Sequence, residues 1–357
     1  MLSRPEETIS IRADCARRWR AAGKVAAPAT NEEPMETVDE FLIAERGYGD
    51  DESKLSVGLA NIHAEVPDVE ANKDKILRAA SIFKERGVNI CVFPEFCLSG
   101  YFWDEHADCL AYMKQAVAEN HADWIESELQ PLIGDDLEAI VLNNLTAAKK
   151  KDRFLNRTFA VGRDSDYLAD ENTYDKVFLP GIEKDHTESG RDDRLVLQTR
   201  HGRLGFTTCY DYLFSELLRE YSMVEEVDAI VQIASWRAAG GRDYPGMNLR
   251  TDHYYGDLWD YVMPASSATN QIWTIACNAV GAHGVTGAPF WGGSGIWAPS
   301  GVCLIQASHV SEELVIVHNV DIEGAQKSEK DDFDYAFDFK QIYRPLEGGS
   351  TFTRDLA

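Results

Sequence analysis

From residue 55 onward, short apolar runs alternate with amphipathic stretches, and this alternation constrains the fold more than any other feature of the chain. Residues 55–63 read as a strand, 72–86 as an amphipathic helix, and 88–93 as a buried strand that stops at Pro94. Strand, helix, strand is the unit that builds sheets with helices on their outer faces. Residues 111–129 read as helical, 139–142 as a strand, and 156–161 with 174–179 as a hairpin turning through polar 164–172. A strand at 203–208 feeds a helix at 213–222. Strands at 229–233, 273–277, 295–297, 302–305 and 314–317 follow, with a helical stretch before Trp273. The expected fold class is α/β, a layered domain over 53–325 with no internal repeat or linker.

The flanks read differently. Residues 1–52 lack sustained periodicity, carry Pro5, Pro28 and Pro34, and end in an acidic run, so they are expected to be a flexible extension. Arg12, Arg17, Arg18 and Arg20 have the look of an organellar presequence, against which Glu6, Glu7 and Asp14 argue; targeting stays open. Residues 326–357 form a polar, acidic tail with Phe333, Tyr335, Phe337 and Phe339 at alternate positions. That spacing puts the rings on one face of a strand, or lays them over a partner subunit or the domain surface.

Charge narrows the function classes. With 60 acidic and 35 basic residues the formal charge is -25, which opposes phosphate backbones and anionic lipid, so neither nucleic acid nor membrane is expected as a partner. No apolar run approaches the roughly 18 to 20 residues of a membrane span, and no secretory signal is expected. The seven cysteines make no CxxC pair and read as free thiols of a reducing, cytoplasmic compartment. No His cluster has ligand spacing, so neither a metal nor another cofactor is expected.

Three residues carry candidate chemistry. Glu95 follows the buried run ending Val-Phe-Pro, where a strand's carboxyl end opens into a loop and clefts of α/β sheets form. Desolvation by Phe93, Phe96 and Tyr101 would suit it as a general base, although alone it reads first as a solvated loop glutamate. Cys209 sits at a strand-to-helix turn, where free N–H groups favour thiolate; nucleophile and buried small hydrophobe are evenly matched readings. Lys176 lies on a strand whose alternation turns it with Tyr174 and Phe178, an odd place for a charge. It is either a fixed cation for an oxyanion or, taken singly, a surface salt bridge, and Glu183 is placed to hold its ammonium.

Together, Phe-Pro-Glu, Tyr-Asp-Lys-Val-Phe-Leu-Pro and Thr-Cys-Tyr-Asp-Tyr-Leu-Phe-Ser-Glu resemble, in order and setting, the motifs of the nitrilase (carbon-nitrogen hydrolase) superfamily. Asn-Arg-Thr before the lysine strand, Glu183 to Gly190, Cys-Asn-Ala-Val-Gly from Cys277, and Gly-Gly-Ser-Gly-Ile-Trp-Ala-Pro from Gly292 extend the resemblance over 55–325. It implies a four-layer α-β-β-α sandwich that dimerises into an eight-layer assembly, a homodimer or larger homo-oligomer. It also implies Glu95 as base, Lys176 as oxyanion cation, Cys209 as nucleophile and Glu183 as a second glutamate that positions Lys176. Tyr101, Tyr210 and Trp236 are the expected substrate-binding residues.

Tyr210 and Asp211 follow the nucleophile where nitrile-cleaving members typically carry Trp-Glu, as in the amidase and carbamoylase branches. The expected reaction is hydrolysis of a small-molecule amide or carbamoyl group through a cysteine thioester, with a neutral or cationic leaving group suiting so acidic a chain. The texture around Cys209 and Ala-Ser-Trp at 234–236 also resembles the secreted vanin and biotinidase branch, whose substrates are not carried over. Nitrile hydrolysis by the same residues, or a catalytically idle binding member, are the alternatives. A serine amidase is disfavoured because Ile296 breaks G-x-S-x-G. Residues 244–261, rich in Tyr, Trp and Asp, are expected to cover the pocket or to make a dimer contact.

Overall fold

The computed structural model describes residues 36–101, 109–181, 183–190, 194–247, 249–284 and 286–342. One sheet holds β1 (Glu36–Val38), β2 (Phe41–Gly47), β3 (Leu55–Asn61), β4 (Ile90–Val92), β5 (Ala139–Ala147), β6 (Phe154–Val161), β7 (Thr173–Asp175) and β16 (Glu313–Val320), ordered β1-β2-β16-β3-β4-β5-β6-β7. The second holds β8 (Val196–Thr199), β9 (Gly202–Thr208), β10 (Ala229–Ala234), β13 (Trp273–Asn278), β14 (Gly295–Trp297) and β15 (Cys303–Gln306), ordered β15-β14-β13-β10-β9-β8. A separate hairpin joins β11 (Arg242–Tyr244) to β12 (Leu249–Thr251). In the first sheet β3, β4 and β5 run parallel; in the second β9, β10 and β13 do.

The inner faces meet through Val57, Leu59, Val92, Val141, Val315 and Val317 of the first sheet and Phe206, Val231, Ile233, Ile275 and Cys277 of the second. Burying such side chains supplies the main drive for stacking the sheets, about 25 cal/mol per Å² of apolar surface. Helix α1 (Val69–Glu85) covers the outside of the first sheet. Asp68 caps it, its carboxylate accepting from the Ala71 N–H at 3.0 Å, and Glu70 and Lys84 suit the two ends of its dipole. Its buried stripe of Ile76, Ala79, Ala80 and Phe83 lies on β3, where Gly58 leaves room for the Phe83 ring: a Cβ there would stand 2.5 Å from a ring carbon. The far side of the second sheet is covered by α4 (Ser215–Met223) and α5 (Tyr254–Asn270) through Leu217, Leu218, Tyr221, Trp259 and Met263. Helix, sheet, sheet, helix is the expected four-layer α-β-β-α sandwich. Two shorter helices, α2 (Cys109–Ala116) and α3 (Glu183–His186), lie between strands of the chain.

Three expectations need correction. Residues 36–47 are no free extension: β2 pairs in parallel with β16 and buries Phe41 and Ile43, while Arg86 binds Glu36 and Glu45 at 2.7 and 2.6 Å. The run Phe-Leu-Ile-Ala is short and flanked by charge, which hid its alternation; residues 1–35 lie outside the described residues. At the other end the aromatic alternation is not a strand. Helices α6 (Ile322–Asp332) and α7 (Tyr335–Ile342) follow β16, and α7 starts because the Asp334 carboxylate accepts the Phe337 N–H at 2.8 Å. Gln271 binds the intervening backbone through Phe333 O and Tyr335 N, tying the segment to the end of α5; 343–357 lie outside the described residues. The helix expected over 111–129 is broken after Ala116, where Val117 takes an extended conformation, and continues as short helical turns.

Candidate active site

The ends of strands from both sheets converge on one polar cluster. Glu95 lies three residues beyond β4, Lys176 follows β7, Cys209 follows β9, and Ser235 follows β10. Glu183 is the first residue of α3. The lysine segment leaves its ladder here because the Phe178 N–H donates to Asp211 at 2.7 Å and the Lys176 carbonyl accepts from Gly190 at 2.7 Å. The hairpin's second strand is therefore shorter than the sequence suggested.

Lys176 is 1% exposed, so the surface salt bridge is ruled out as its explanation. Its ammonium donates to Glu95 Oε1 and Glu183 Oε2, each at 2.8 Å, with all three side chains fully enclosed. Burial alone would lower the lysine pKa, but the charges of Glu183 and Glu95 outweigh it and hold the ammonium well above its usual value. Glu183, by contrast, is pushed up by burial against the pull of Lys176. Asn156 completes the cluster. Its Nδ2 donates to Glu95 Oε1 at 2.8 Å and Glu183 Oε1 at 2.7 Å, so one amide bridges both carboxylates. Asn143 orients that amide, donating to Asn156 Oδ1 at 2.9 Å while accepting the Phe96 N–H at 2.9 Å. The second oxygen of Glu95 accepts the Ser235 N–H at 2.8 Å, and the Ser235 hydroxyl donates to Glu95 O at 2.7 Å.

Cys209 occupies the left-handed region, φ 50°, and so does Phe96, φ 55°, directly after Glu95. A non-glycine residue held there stores strain, and such outliers gather where a side chain must be presented at a fixed angle. The turn is locked by Asp211: its carboxylate accepts from Thr208 N at 3.1 Å, Tyr174 Oη at 2.8 Å and Phe178 N, so it ties the cysteine turn to the lysine strand. Burial raises Asp211 to about 6. The Cys209 thiol is itself pushed well above its usual value, first by burial and then by the negative charge of Glu95, with Lys176 opposing. This corrects the expectation of a thiolate favoured by a helix dipole. Cys209 opens a five-residue 3₁₀ turn, Cys209–Leu213, and α4 begins only at Ser215. Burial and the nearby negative charge of Glu95 therefore favour the neutral thiol over the thiolate at Cys209.

Above the thiol opens a pocket of about 210 Å³ lined by Tyr101, Tyr210, Trp236, Leu213 and Tyr255, together with Pro180, Ser235 and Arg237. All three residues expected to touch substrate thus line one cavity with Cys209. Trp236 is fixed by its N–H on Asn278 Oδ1 at 2.7 Å, its indole N–H on Tyr255 O at 2.7 Å, and an edge contact with Trp259. Tyr255 comes from the 244–261 segment expected either to cover the pocket or to make a dimer contact, and it lines the pocket; sequence reasoning missed Asn156, Ser235 and Arg237 as site residues, and treated Asp211 only as a branch marker. Asn156 had a signal, since it stands in the Asn-Arg-Thr segment already matched to the superfamily. Among the described residues no group of three or more His, Cys, Asp or Glu side chains is arranged to hold a metal ion.

The carbon-nitrogen hydrolase family model matches residues 56–330. The chain belongs to this family. A probable nitrilase of Schizosaccharomyces pombe is 24% identical over 82% of this chain and 98% of its own length. The chloroplastic omega-amidase of Arabidopsis thaliana is 23% identical over 75% of this chain and 68% of its own. Among solved structures, a mutant of the Nesterenkonia AN1 amidase, from the nitrilase superfamily, aligns with a TM-score of 0.61 at 21% identity, covering 80% of this chain and 98% of that one. As a carbon-nitrogen hydrolase, the chain has a fold that agrees with this amidase.

Proposed function

We propose that the protein hydrolyses an amide or N-carbamoyl bond of a small molecule through a thioester on Cys209. The observation that carries this reading is the enclosed Glu95–Lys176–Glu183 cluster set beside Cys209 at the floor of an aromatic pocket. Glu95 takes the thiol proton as sulfur attacks the carbonyl carbon, and Lys176 with the Tyr210 N–H stabilises the resulting oxyanion. Glu95 then gives the proton to the leaving nitrogen, the carbon–nitrogen bond breaks, and ammonia or an amine departs. Water, deprotonated by Glu95, attacks the thioester; the acid is released and the proton returns to sulfur. Glu183 and Asn156 hold Lys176 and Glu95 in place throughout. The amidase of Nesterenkonia supports the choice of nucleophile, because its structures include covalent addition at the active-site cysteine.

The same reading puts the protein in a reducing compartment, for which the free thiols Cys91, Cys97, Cys277 and Cys303 speak. It makes the protein a homodimer or larger homo-oligomer, consistent with Tyr261 and Phe337 exposed at 68% and 59%. The test of the reaction is a panel of matched amides, carbamoyl compounds and nitriles followed by ammonia and acid release. Amides or carbamoyl compounds are expected to turn over faster than the corresponding nitriles. Faster nitrile turnover across several scaffolds would replace the amidase reading with a nitrilase one.

A further inference from the structure

Base and nucleophile come from different sheets. Glu95 and Lys176 follow β4 and β7 of the first sheet, and Cys209 follows β9 of the second. The apolar faces between the sheets attract without direction, so they bring the layers together without fixing the spacing of two reacting side chains. A polar connection crosses between the sheets next to the site. Thr158 Oγ1 of β6 lies 3.1 Å from Oγ1 of Thr208, the last residue of β9 and the one before Cys209, and both side chains are fully buried. Antiparallel pairing sets Asn143 of β5 directly opposite Thr158, and Asn156 stands two residues before Thr158, so all three side chains share a face. Because Asn143 Oδ1 accepts the Phe96 N–H, its Nδ2 is left to donate to Asn156 Oδ1 at 2.9 Å and to Thr158 Oγ1 at 3.0 Å. Both hydrogens of that nitrogen are thereby used, as are both of Asn156 Nδ2, on Glu95 and Glu183. A continuous chain of hydrogen bonds therefore runs from the two carboxylates through Asn156, Asn143 and Thr158 to the residue that precedes the sulfur. It touches both left-handed residues of the site: Phe96 through its N–H, and Cys209 through Thr208, whose side chain also accepts the Asp211 N–H. Asn143, Asn156, Thr158 and Thr208 all lie outside the pocket lining.

We infer that Thr158 is a positioning residue: held by Asn143, it stitches the sheet carrying Glu95 and Lys176 to the sheet carrying Cys209 and so sets the distance from base to sulfur. It touches no substrate and acts through Asn143 and Asn156 on one side and through Thr208 on the other. A hydrogen bond weakens steeply as its geometry departs from the optimum, so it fixes a register that apolar packing leaves free. What is at stake is rate, since a displacement of about 1 Å between reacting groups costs on the order of a hundredfold. The inference rests on the roles that the amidase reading gives Glu95 and Cys209, and it adds how the fold holds the two in register.

The test is Thr158→Val, which keeps the shape of the side chain and removes its hydroxyl. Two readouts are taken per folded molecule: amide turnover, and the rate at which iodoacetamide alkylates Cys209, followed by peptide mass with the exposed Cys303 as internal control. Thr158→Val is expected to lower kcat about ten- to a hundredfold with KM little changed, and to slow alkylation at Cys209 but not at Cys303. Thr158→Ser, which keeps the hydroxyl, should restore most of both rates. Thr208→Val removes the same bond from the other sheet, so adding Thr158→Val to it should cost little more. Parent-like kcat or parent-like alkylation of Cys209 in Thr158→Val would overturn the inference. So would losses in the two single variants that multiply in the double, or a loss that Thr158→Ser leaves unrestored, which is what a purely structural role predicts. Should Thr158→Val fail to fold, Thr208→Val decides the matter by the same two readouts. A parent that turns over no amide or carbamoyl compound would sink the amidase reading while alkylation still decides on Thr158; turnover with an unaffected Thr158→Val would do the reverse.

Discussion

The floor of the site and its rim are built on opposite principles. On the floor, Glu95, Asn156, Lys176 and Glu183 are buried and joined by four hydrogen bonds of 2.7 to 2.8 Å, each side chain held by two others. At the rim, Tyr255 is 38% exposed and is overlaid by Arg242 from the β11–β12 hairpin, whose Tyr244, Met247 and Leu249 are also exposed. An enclosed polar network is worth its desolvation cost only when every member is satisfied, so the floor tolerates one arrangement. The rim carries no such constraint. Chemistry is expected to be sensitive to the floor and substrate preference to the rim.

The sharpest way to break this contrast is Lys176→Ala. Removing the cation leaves two carboxylates facing each other with no positive charge between them and only the Asn156 amide bridging them, so the loss should reach both stability and rate. Breaking a buried pair typically costs about 3–5 kcal/mol, and losing an oxyanion donor costs on the order of 10² to 10³ in kcat. Denaturant melts and single-turnover rates, taken well below the variant's melting temperature, check both. A stable variant with ordinary kcat would mean that the cluster is neither structural nor catalytic.

Asp211→Asn tests the link between the cysteine turn and the lysine strand. Loosening it should lower kcat by on the order of tenfold, since small misplacements of reacting groups are costly. It should also change the pH dependence of stability. The folded value is raised to about 6, against about 3.9 in an unfolded chain. The folded state therefore binds this proton more tightly, and its contribution is fully present below about 4 and lost as pH rises through 6. The stability of the parent relative to Asp211→Asn should fall across that window. Parallel stability profiles from pH 4 to 7 would show that Asp211 does not titrate as its burial demands.

Arg242→Ala should have the smallest effect. Its guanidinium carbon lies 3.9 Å from the centroid of the Tyr254 ring and 5.5 Å from that of Tyr255. Exposed cation–π contacts are weak, so KM is expected to rise about two- to threefold with kcat unchanged. A fall in kcat comparable to that of Lys176→Ala would erase the distinction between rim and floor.

What the sequence disclosed follows the same division. Glu95 follows an apolar run, and Lys176 and Cys209 each follow the last residue of a strand; an ionisable residue at a strand's end is visible to local pattern reading. Glu183 stood near Lys176 in the chain as well as in space. Asn156, Ser235 and Asp211 act across separations of 27 to 140 residues, which no local periodicity encodes. Arg237 stands in no motif of the chain and joins the site only by lining its pocket. In the fold, β3, β9, β10 and β13 were legible because they are buried on both faces; β2 and α7 were not, because one is a short run beside charges and the other depends on a single aspartate cap.

The central claim is that the chain reacts through Cys209. Incubation of the enzyme with a slowly turned-over amide, acid quench and intact mass spectrometry with peptide mapping tests it directly. The account predicts a mass increase equal to the acyl group, confined to the peptide bearing Cys209 and absent from Cys209→Ala, which should have lost turnover while remaining folded. An acyl group on any other residue, or a Cys209→Ala protein that still hydrolyses the amide at the parent rate, would contradict it.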